Sequence, residues 1–332
     1  MTKVFDIAIL GYYGFGNLGD ELLLEAVISL LLMSGISKEK IVILSNSPAE
    51  TEEKYGVKSI NRWNVKGIFN TLLKSKSFLL GGGGLFQDVT SIKSVLYYWF
   101  MIKLAQLAHA KPWAVGQSVG PLKRNVSRNF TKNAFKSCIN VVARDVKSYS
   151  LLSKWGANVS IAPDLVLSFP VNTINFSARD TVLFNIRPGY ESLAHDLVDF
   201  VVKNSVGKEI IGVAFSQEDF EIIKKYTEQD RIKVKKIVLI KDKNDFASLA
   251  MNASLAVGMR FHFIVLSWMY GVNIIAAEYD PKVETFCNEH HIPSLSCLHD
   301  LRKVDLYDSK YAQDVYNSFN IALMAVFGDR QI

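Results

Sequence analysis

Short β-branched runs alternate with amphipathic helical stretches along the chain, and the alternation runs through once and then starts again. The first series predicts strands at Phe5–Leu10, Ile41–Ser45, Ser77–Leu80, Pro112–Val115, Val141–Ala143 and Ser160–Ala162. Helices fit between them at Glu21–Met33, Val65–Lys74, Ile92–Ala108, Val126–Ser137 and Val146–Lys154. After a polar, irregular stretch from Ser168 to Asp180, the second series predicts strands at Thr181–Ile186, Glu209–Ala214, Val234–Ile240, Leu255–Val257 and Asn273–Ala277. Its helices fall at Ser192–Lys203, Phe220–Glu228, Asp245–Asn252, Phe261–Tyr270 and Lys282–Glu289. Connections this short imply right-handed βαβ crossovers and mostly parallel sheets. The expected fold is therefore α/β, with two Rossmann-like domains facing across a cleft. Residues 1–170 form the first domain and 180–308 the second. A closing helix within 309–332 carries Tyr311, Val315, Phe319, Leu323 and Val326 on one face and is expected to pack at the domain junction.

A length of 332 residues suits two such domains. Apolar residues make up 49% and charged residues 21%, which excludes disorder or coiled coil as a description of the whole. Cys138, Cys287 and Cys297 are too scattered for a disulfide framework or a CxxC metal site. No HExxH pattern or Cys/His cluster supports a metal, so none is expected. The start, MTKVFDIAILGYYGFGN, reads as a buried strand rather than a signal peptide. No apolar run reaches the ~18 residues of a membrane span. A soluble cytoplasmic protein is expected.

Charge is uneven. Residues 1–170 carry a net +9 and the remainder −3, within the total of +6. Lys123 to Lys147 is the densest basic stretch. A basic half attracts anions, although most of these side chains also suit a solvated helix face. Nucleic acid is not expected, since no recognisable fold or basic–aromatic interleaving accompanies the charge.

Several strand ends carry residues suited to chemistry. Gly11-Tyr-Tyr-Gly14-Phe-Gly16-Asn17-Leu-Gly19-Asp20-Glu21 follows the first strand. Its glycines open the backbone to an anionic or sugar ligand. The GxGxxG spacing is met literally, but Asp20 and Glu21 stand where a pyrophosphate wants bare N–H groups. Asp20 can equally cap the helix. Leu80-Gly-Gly82-Gly83-Gly-Leu-Phe-Gln-Asp88 reads as a ligand loop, with Asp88 either a cap or a proton acceptor. Val115-Gly-Gln117-Ser118-Val-Gly-Pro121 offers polar groups at the next strand end, and Arg144 suits an interdomain or capping ion pair.

In the second half, Asn185-Ile-Arg187-Pro-Gly189 and Gly258-Met-Arg260-Phe261-His262 fall at strand ends. Arg260 and His262 also begin an unusually apolar helix, whose free N–H groups and dipole favour a small anion. His290 and His291 read as surface residues.

Taken together, these segments resemble the polysaccharide pyruvyl transferase family, closest to its bacterial cell-wall (CsaB-type) branch. The motifs that carry the likeness are GYYGFGNLGDE, GGGGLFQD, GQSVGP, ARD, APD, GMRFH and GVNIIAAEYDPKV. The resemblance implies a GT-B-like architecture and transfer of pyruvate from phosphoenolpyruvate (PEP) to a sugar as a cyclic ketal. In the cell-wall branch that sugar is N-acetylmannosamine on a lipid-linked disaccharide, and the ketal serves S-layer anchoring. PEP is a substrate, so no cofactor is expected. Arg260, Phe261, His262 and Arg187 match the family's PEP-contacting positions. His262 suits a general acid for departing phosphate, and Asp20 or Asp88 a base toward sugar hydroxyls. The acceptor is expected beside Gly14, Gly16, Asn17, Gly82, Gly83, Gln117, Ser118, Lys123, Arg124 and Arg128, with peripheral contact to the inner membrane face. Two rivals stand: a nucleotide-sugar glycosyltransferase or epimerase, and a non-catalytic sugar- or anion-binding protein of the same fold.

Overall fold

The computed structural model describes residues 3–89, 91–171, 180–297 and 304–328. Most of the polar stretch expected as a linker lies outside them.

The chain begins with β1 (Phe5–Leu10), α1 (Leu18–Met33), β2 (Ile41–Ser45), α2 (Pro48–Tyr55), β3 (Lys58–Asn61) and α3 (Val65–Leu73). It continues through β4 (Ser75–Phe86), α4 (Lys93–Leu107), β5 (Lys111–Val119), α5 (Asn125–Lys136), β6 (Val141–Ala143), α6 (Val146–Lys154) and β7 (Val159–Ile161). These seven strands form one sheet in the order β3-β2-β1-β4-β5-β6-β7, and the pairings are parallel. The second series is β8 (Thr181–Asn185), α7 (Glu191–Asn204), β9 (Glu209–Ala214), α8 (Gln217–Glu228) and β10 (Lys236–Leu239). It ends with α9 (Lys243–Ala250), β11 (Ala253–Gly258), α10 (Phe261–Met269), β12 (Ile274–Ala276) and α11 (Pro281–Glu289), before α12 (Lys310–Phe327). Its parallel sheet has the order β10-β9-β8-β11-β12. The expected α/β class with two Rossmann-like sheets is the observed one.

The central strands are buried on both faces, which is why they read as continuous apolar runs rather than alternating ones. Ala8, Leu10, Val42, Leu44, Phe78 and Leu80 belong to the core of the first sheet, and Val182, Phe184, Val198 and Val257 to that of the second.

The chain divides into two compact units: Met1–Phe15, Leu23–Phe169 and Lys310–Ile332 in the first, Gly16–Leu22 and Pro170–Ser309 in the second. Within the first unit, α12 buries Val315, Phe319, Ala322, Leu323 and Val326. Their spacing follows one helical face, and the Phe319 ring lies 5.8 Å from that of Trp113.

Two expectations need correction. The glycine run Gly81–Gly84 is not a loop, because β4 runs through it to Phe86, and GQSV likewise lies inside β5. Gly81, Gly82 and Gly116 answer to packing, whereas Gly84 has open space around it. A Cβ on Gly81 would strike the Tyr13 hydroxyl, one on Gly82 would sit 3.2 Å from Leu23 and Leu165, and one on Gly116 only 2.7 Å from Leu165. Gly82 also takes φ +60°, which a side chain rarely adopts. The second correction concerns His290, which is 7% exposed rather than on the surface, packed against Trp268 and Phe286.

Candidate functional site

In each sheet the strand order reverses at one place, between β1 and β4 and between β8 and β11. Open α/β sheets bind ligands beyond the carboxyl ends of the strands at such switch points. The glycine-rich motif follows β1, while Arg187 follows β8 and Arg260 follows β11.

In the second unit, Asn185 at the end of β8 organises the turn. Its side-chain amide donates to the Val213 carbonyl at 2.8 Å, and its Oδ1 accepts the Arg260 N–H at 2.9 Å. Arg260 then leads into α10, of which all nine residues are buried. Its guanidinium is engaged by a residue absent from the sequence expectations. Nε donates to both carboxylate oxygens of Asp219 at 3.0 and 3.1 Å, and Nη2 donates to Asp219 Oδ1 at 2.6 Å and to Ser216 Oγ at 3.2 Å. Burial disfavours the arginine's charge, but Asp219, with Tyr279 and Asp20 adding to it, outweighs burial and raises the pKa.

Arg187 is different. Its guanidinium carbon lies 4.6 Å from the Tyr279 ring centre and 5.4 Å from that of Tyr190. Among the described residues the buried Nε has no hydrogen-bond partner and no acidic residue pairs with the side chain. Tyr279 thus stands against Arg187 while also acting on Arg260.

The first turn of α1 joins this group. Leu18 N–H donates to the Phe215 carbonyl at 2.9 Å. Gly19 is buried, and a Cβ on it would land on Nδ1 of His262, itself 9% exposed. The third glycine of the literal GxGxxG therefore makes room for the histidine. Asn17, not Asp20, caps the helix: its Oδ1 accepts the Gly19 N–H at 3.1 Å, and its carbonyl accepts from Asp20 and Glu21. Asp20 is left half-exposed with its charge acting on Arg260. Asp20, Arg187, Arg260, Phe261 and His262 are thereby brought into one unit.

The remaining candidates lie in the first unit, mostly in supporting roles. Gly14 takes φ +76°, and its carbonyl accepts from Ser47 Oγ at 3.0 Å, whereas Gly16 has open space around it. Gly82 and Gly83 are buried. Gln117 is wholly buried, its amide nitrogen donating to the Leu80 and Val115 carbonyls at 3.2 and 2.9 Å. Ser118 is also buried. Asp88 is 0% exposed, and its two oxygens accept the N–H groups of Lys123 and Arg124 at 2.6 and 2.9 Å. Burial works to raise its pKa, but those N–H groups and the Arg124 charge outweigh it and lower the pKa. This geometry suits a carboxylate that holds a loop, and it is poorly placed to take a substrate proton. Lys123, Arg124 and Arg128 are exposed. Arg144 forms an ion pair at 2.6 Å with Asp164, both side chains nearly fully buried within the unit. Among the described residues no group of His, Cys, Asp and Glu is arranged to hold a metal, and no helix is long and apolar enough to cross a membrane.

Sequence reasoning missed Asp219, Tyr190 and Tyr279. Asp219 lies three residues after Ser216, inside an ordinary acidic first turn of α8, and carries no signal of its own. Tyr279 does lie in the quoted GVNIIAAEYDPKV segment.

Two parallel α/β sheets with arginines at a switch point define a GT-B-like α/β protein, and solved structures agree. The chain is similar to Anabaena HepE in complex with UDP and glucose, with 12% identity, coverage of 96% of this chain and 90% of that one, and a TM-score of 0.56. It is similar to a putative UDP-N-acetylglucosamine 2-epimerase from Listeria monocytogenes, at 13% identity over 99% and 98% of the two chains with a TM-score of 0.62. S. aureus MnaA with UDP gives 10% identity over 98% and 99%, with a TM-score of 0.59. Among curated protein sequences none matches the chain. The polysaccharide pyruvyl transferase model matches residues 17–281, and the chain belongs to that family.

Proposed function

We propose that the protein transfers pyruvate from PEP to two hydroxyls of one sugar, with N-acetylmannosamine on a lipid-linked cell-wall polysaccharide precursor as the acceptor. The observation that carries this reading is Arg187, a cation fixed between two tyrosines with a buried, unpartnered Nε. PEP brings a carboxylate and a phosphate, and a guanidinium without a counter-ion among the described residues suits one of them. The N-terminus of α10 and the Nη1 edge of Arg260, which Asp219 leaves over, suit the other.

The chemistry balances without a cofactor. The PEP methylene gains a proton and becomes the methyl group. Both acceptor oxygens bond to the adjoining carbon, its bond to the phosphate oxygen breaks, and the two hydroxyl protons account for the new methyl proton and the proton on departing phosphate. His262 is assigned to protonate the leaving phosphate. Asp20 is preferred over Asp88 as the base, because it is partly open whereas Asp88 is wholly buried and accepts the Lys123 and Arg124 N–H groups.

The test is phosphate release from PEP with an N-acetylmannosamine-containing disaccharide as acceptor, in the natural protein and in Arg187→Ala. Release by the former, strongly reduced in the latter at equal folding, supports the reading. The UDP-enzyme fold favours one rival, a nucleotide-sugar enzyme. Stabilisation against heat by UDP but not by PEP selects that rival.

A further inference from the structure

Arg62 is 2% exposed, and no carboxylate stands within ion-pair distance of it among the described residues. Its neighbours are rings. The guanidinium carbon lies 4.8 Å from the Tyr97 ring centre, 5.1 Å from Phe15, 5.2 Å from Trp63 and 5.8 Å from Tyr98. Nη1 donates to the Gly11 carbonyl at 2.6 Å and Nη2 to the Tyr98 hydroxyl at 3.3 Å, while buried Nε has no partner. A buried cation whose neighbours are aromatic faces fixes those rings by cation–π attraction.

Trp63 of this cluster and Tyr12, which joins it through Phe15, are exposed. Trp63 is 57% and Tyr12 43% exposed. Neither is loose. The Trp63 indole N–H donates to Asn46 Oδ1 at 3.0 Å, and its ring lies 5.3 Å from that of Tyr97, whose hydroxyl donates to the Arg62 carbonyl at 3.0 Å. Tyr12 stacks on Phe15 at 4.1 Å with an 11° angle between planes. An exposed ring with no task is free to rotate. These are held before any ligand arrives, which removes part of the ordering cost of binding.

We propose that Trp63, packed on Arg62 just after β3, and Tyr12, stacked on Phe15 just after β1, form a platform for a sugar ring of the acceptor glycan. The proposal rests on the transferase reading for the identity of that glycan. A pyranose has an apolar C–H face that lies against an aromatic ring and a hydroxyl rim that needs polar partners. Here Asn46 and Ser47, both partly exposed, stand next to the rings and share Gly14 as a hydrogen-bond partner. The surface offers separate ring faces among polar groups, unlike the continuous apolar groove that a lipid chain or a helix would need. The buried guanidinium offers no accessible charge for phosphates, which separates this corner from the anion site at Arg187.

The experiment uses the full chain and a free N-acetylmannosamine-containing disaccharide as probe. Saturation-transfer NMR and Trp fluorescence report its binding, and PEP affinity is followed by calorimetry in the same preparations. Trp63→Ala is expected to weaken the disaccharide about tenfold or more and Tyr12→Ala less, with PEP affinity unchanged; Trp63→Phe should retain most binding. Arg62→Lys should weaken it through loosened rings and lower thermal stability as well. Unchanged disaccharide affinity in both alanine variants overturns the platform while leaving PEP turnover to stand. The same holds if the natural protein shows no disaccharide binding at millimolar concentration, if UDP displaces the probe, or if Trp63→Ala alters only the oligomeric state. Ring-dependent disaccharide binding without PEP turnover supports the platform and defeats the transferase reading instead.

Discussion

Asp219 grips Arg260 through both carboxylate oxygens, and the carboxylate is wholly buried while the guanidinium side chain is 13% exposed. The arginine that the sequence singles out as a ligand anchor is thus first a structural cation, held at the end of β11 by the start of α8. Breaking such a pair leaves a charge without its partner. Asp219→Asn is expected to destabilise the protein by about 3–5 kcal/mol. Replacing both, Asp219→Leu with Arg260→Met, should recover much of that stability and none of the activity. Urea unfolding midpoints of the two variants and the natural protein check this. A single variant as stable as the natural protein would mean that the pair carries no stability.

Gly19 and His262 are coupled by contact, because a methyl group on the glycine falls on the imidazole Nδ1. Gly19→Ala should push the ring aside at an overpacking cost of about 1–3 kcal/mol. Its main effect is expected on turnover: kcat for phosphate release falls roughly tenfold to a hundredfold, while PEP affinity changes little. His262→Gln should show the same split. Equal losses of affinity and turnover in both variants would make His262 an anchor rather than an acid.

Burial pushes the His290 imidazole down to about 4, with His291 adding to the shift and Asp305 opposing it. The unfolded chain takes up this proton at about pH 6.5, before the folded one does. Stability contributed by the neutral ring is therefore complete above that pH. It is expected to fall by on the order of 2–3 kcal/mol as pH drops toward 4. His290→Gln should flatten that part of the stability curve. Asp88 acts in a lower window: its carboxyl is held below the usual range, so its contribution stays until pH falls beneath the ordinary aspartate value of about 3.9.

The alternation of strands and helices was legible because central parallel strands must be apolar on both faces, as Ile41–Ser45 and Thr181–Asn185 are. The edge strand Lys58–Asn61 was not, since its ends are exposed and its four residues carry no apolar run. Arg260 and His262 could be found because a charged residue at the start of the uniformly apolar segment Phe261–Met269 stands out. The glycine run misled at Gly81 and Gly82, because what excludes a Cβ there is Tyr13, Leu23 and Leu165, residues remote in sequence. Arg62 passed unnoticed for a related reason: its rings come from Phe15, Tyr97 and Tyr98 as well as its neighbour Trp63, and only folding assembles them.

The basic stretch after β5 divides by the work its side chains already do. Arg124 donates from Nη1 to the Asp88 carbonyl at 2.8 Å, and Arg128 from Nε to the Leu122 carbonyl at 3.0 Å. Among the described residues Lys123 is held through its backbone N–H alone, which leaves its ammonium to a partner. If this half draws an acceptor bearing a pyrophosphate, the attraction acts over about 8 Å at physiological salt and weakens as salt rises. Lys123→Gln is then expected to raise the KM of a pyrophosphate-linked disaccharide at low salt, to reduce its salt dependence, and to leave thermal stability alone. Arg124→Gln should also lower stability, because it frees the Asp88 loop. The phosphate-free disaccharide serves as control and should respond to neither change in charge. Steady-state kinetics at two ionic strengths decide the matter. An unchanged KM and salt slope in Lys123→Gln, or no advantage of the charged acceptor over the neutral one, would assign the positive face to solubility alone.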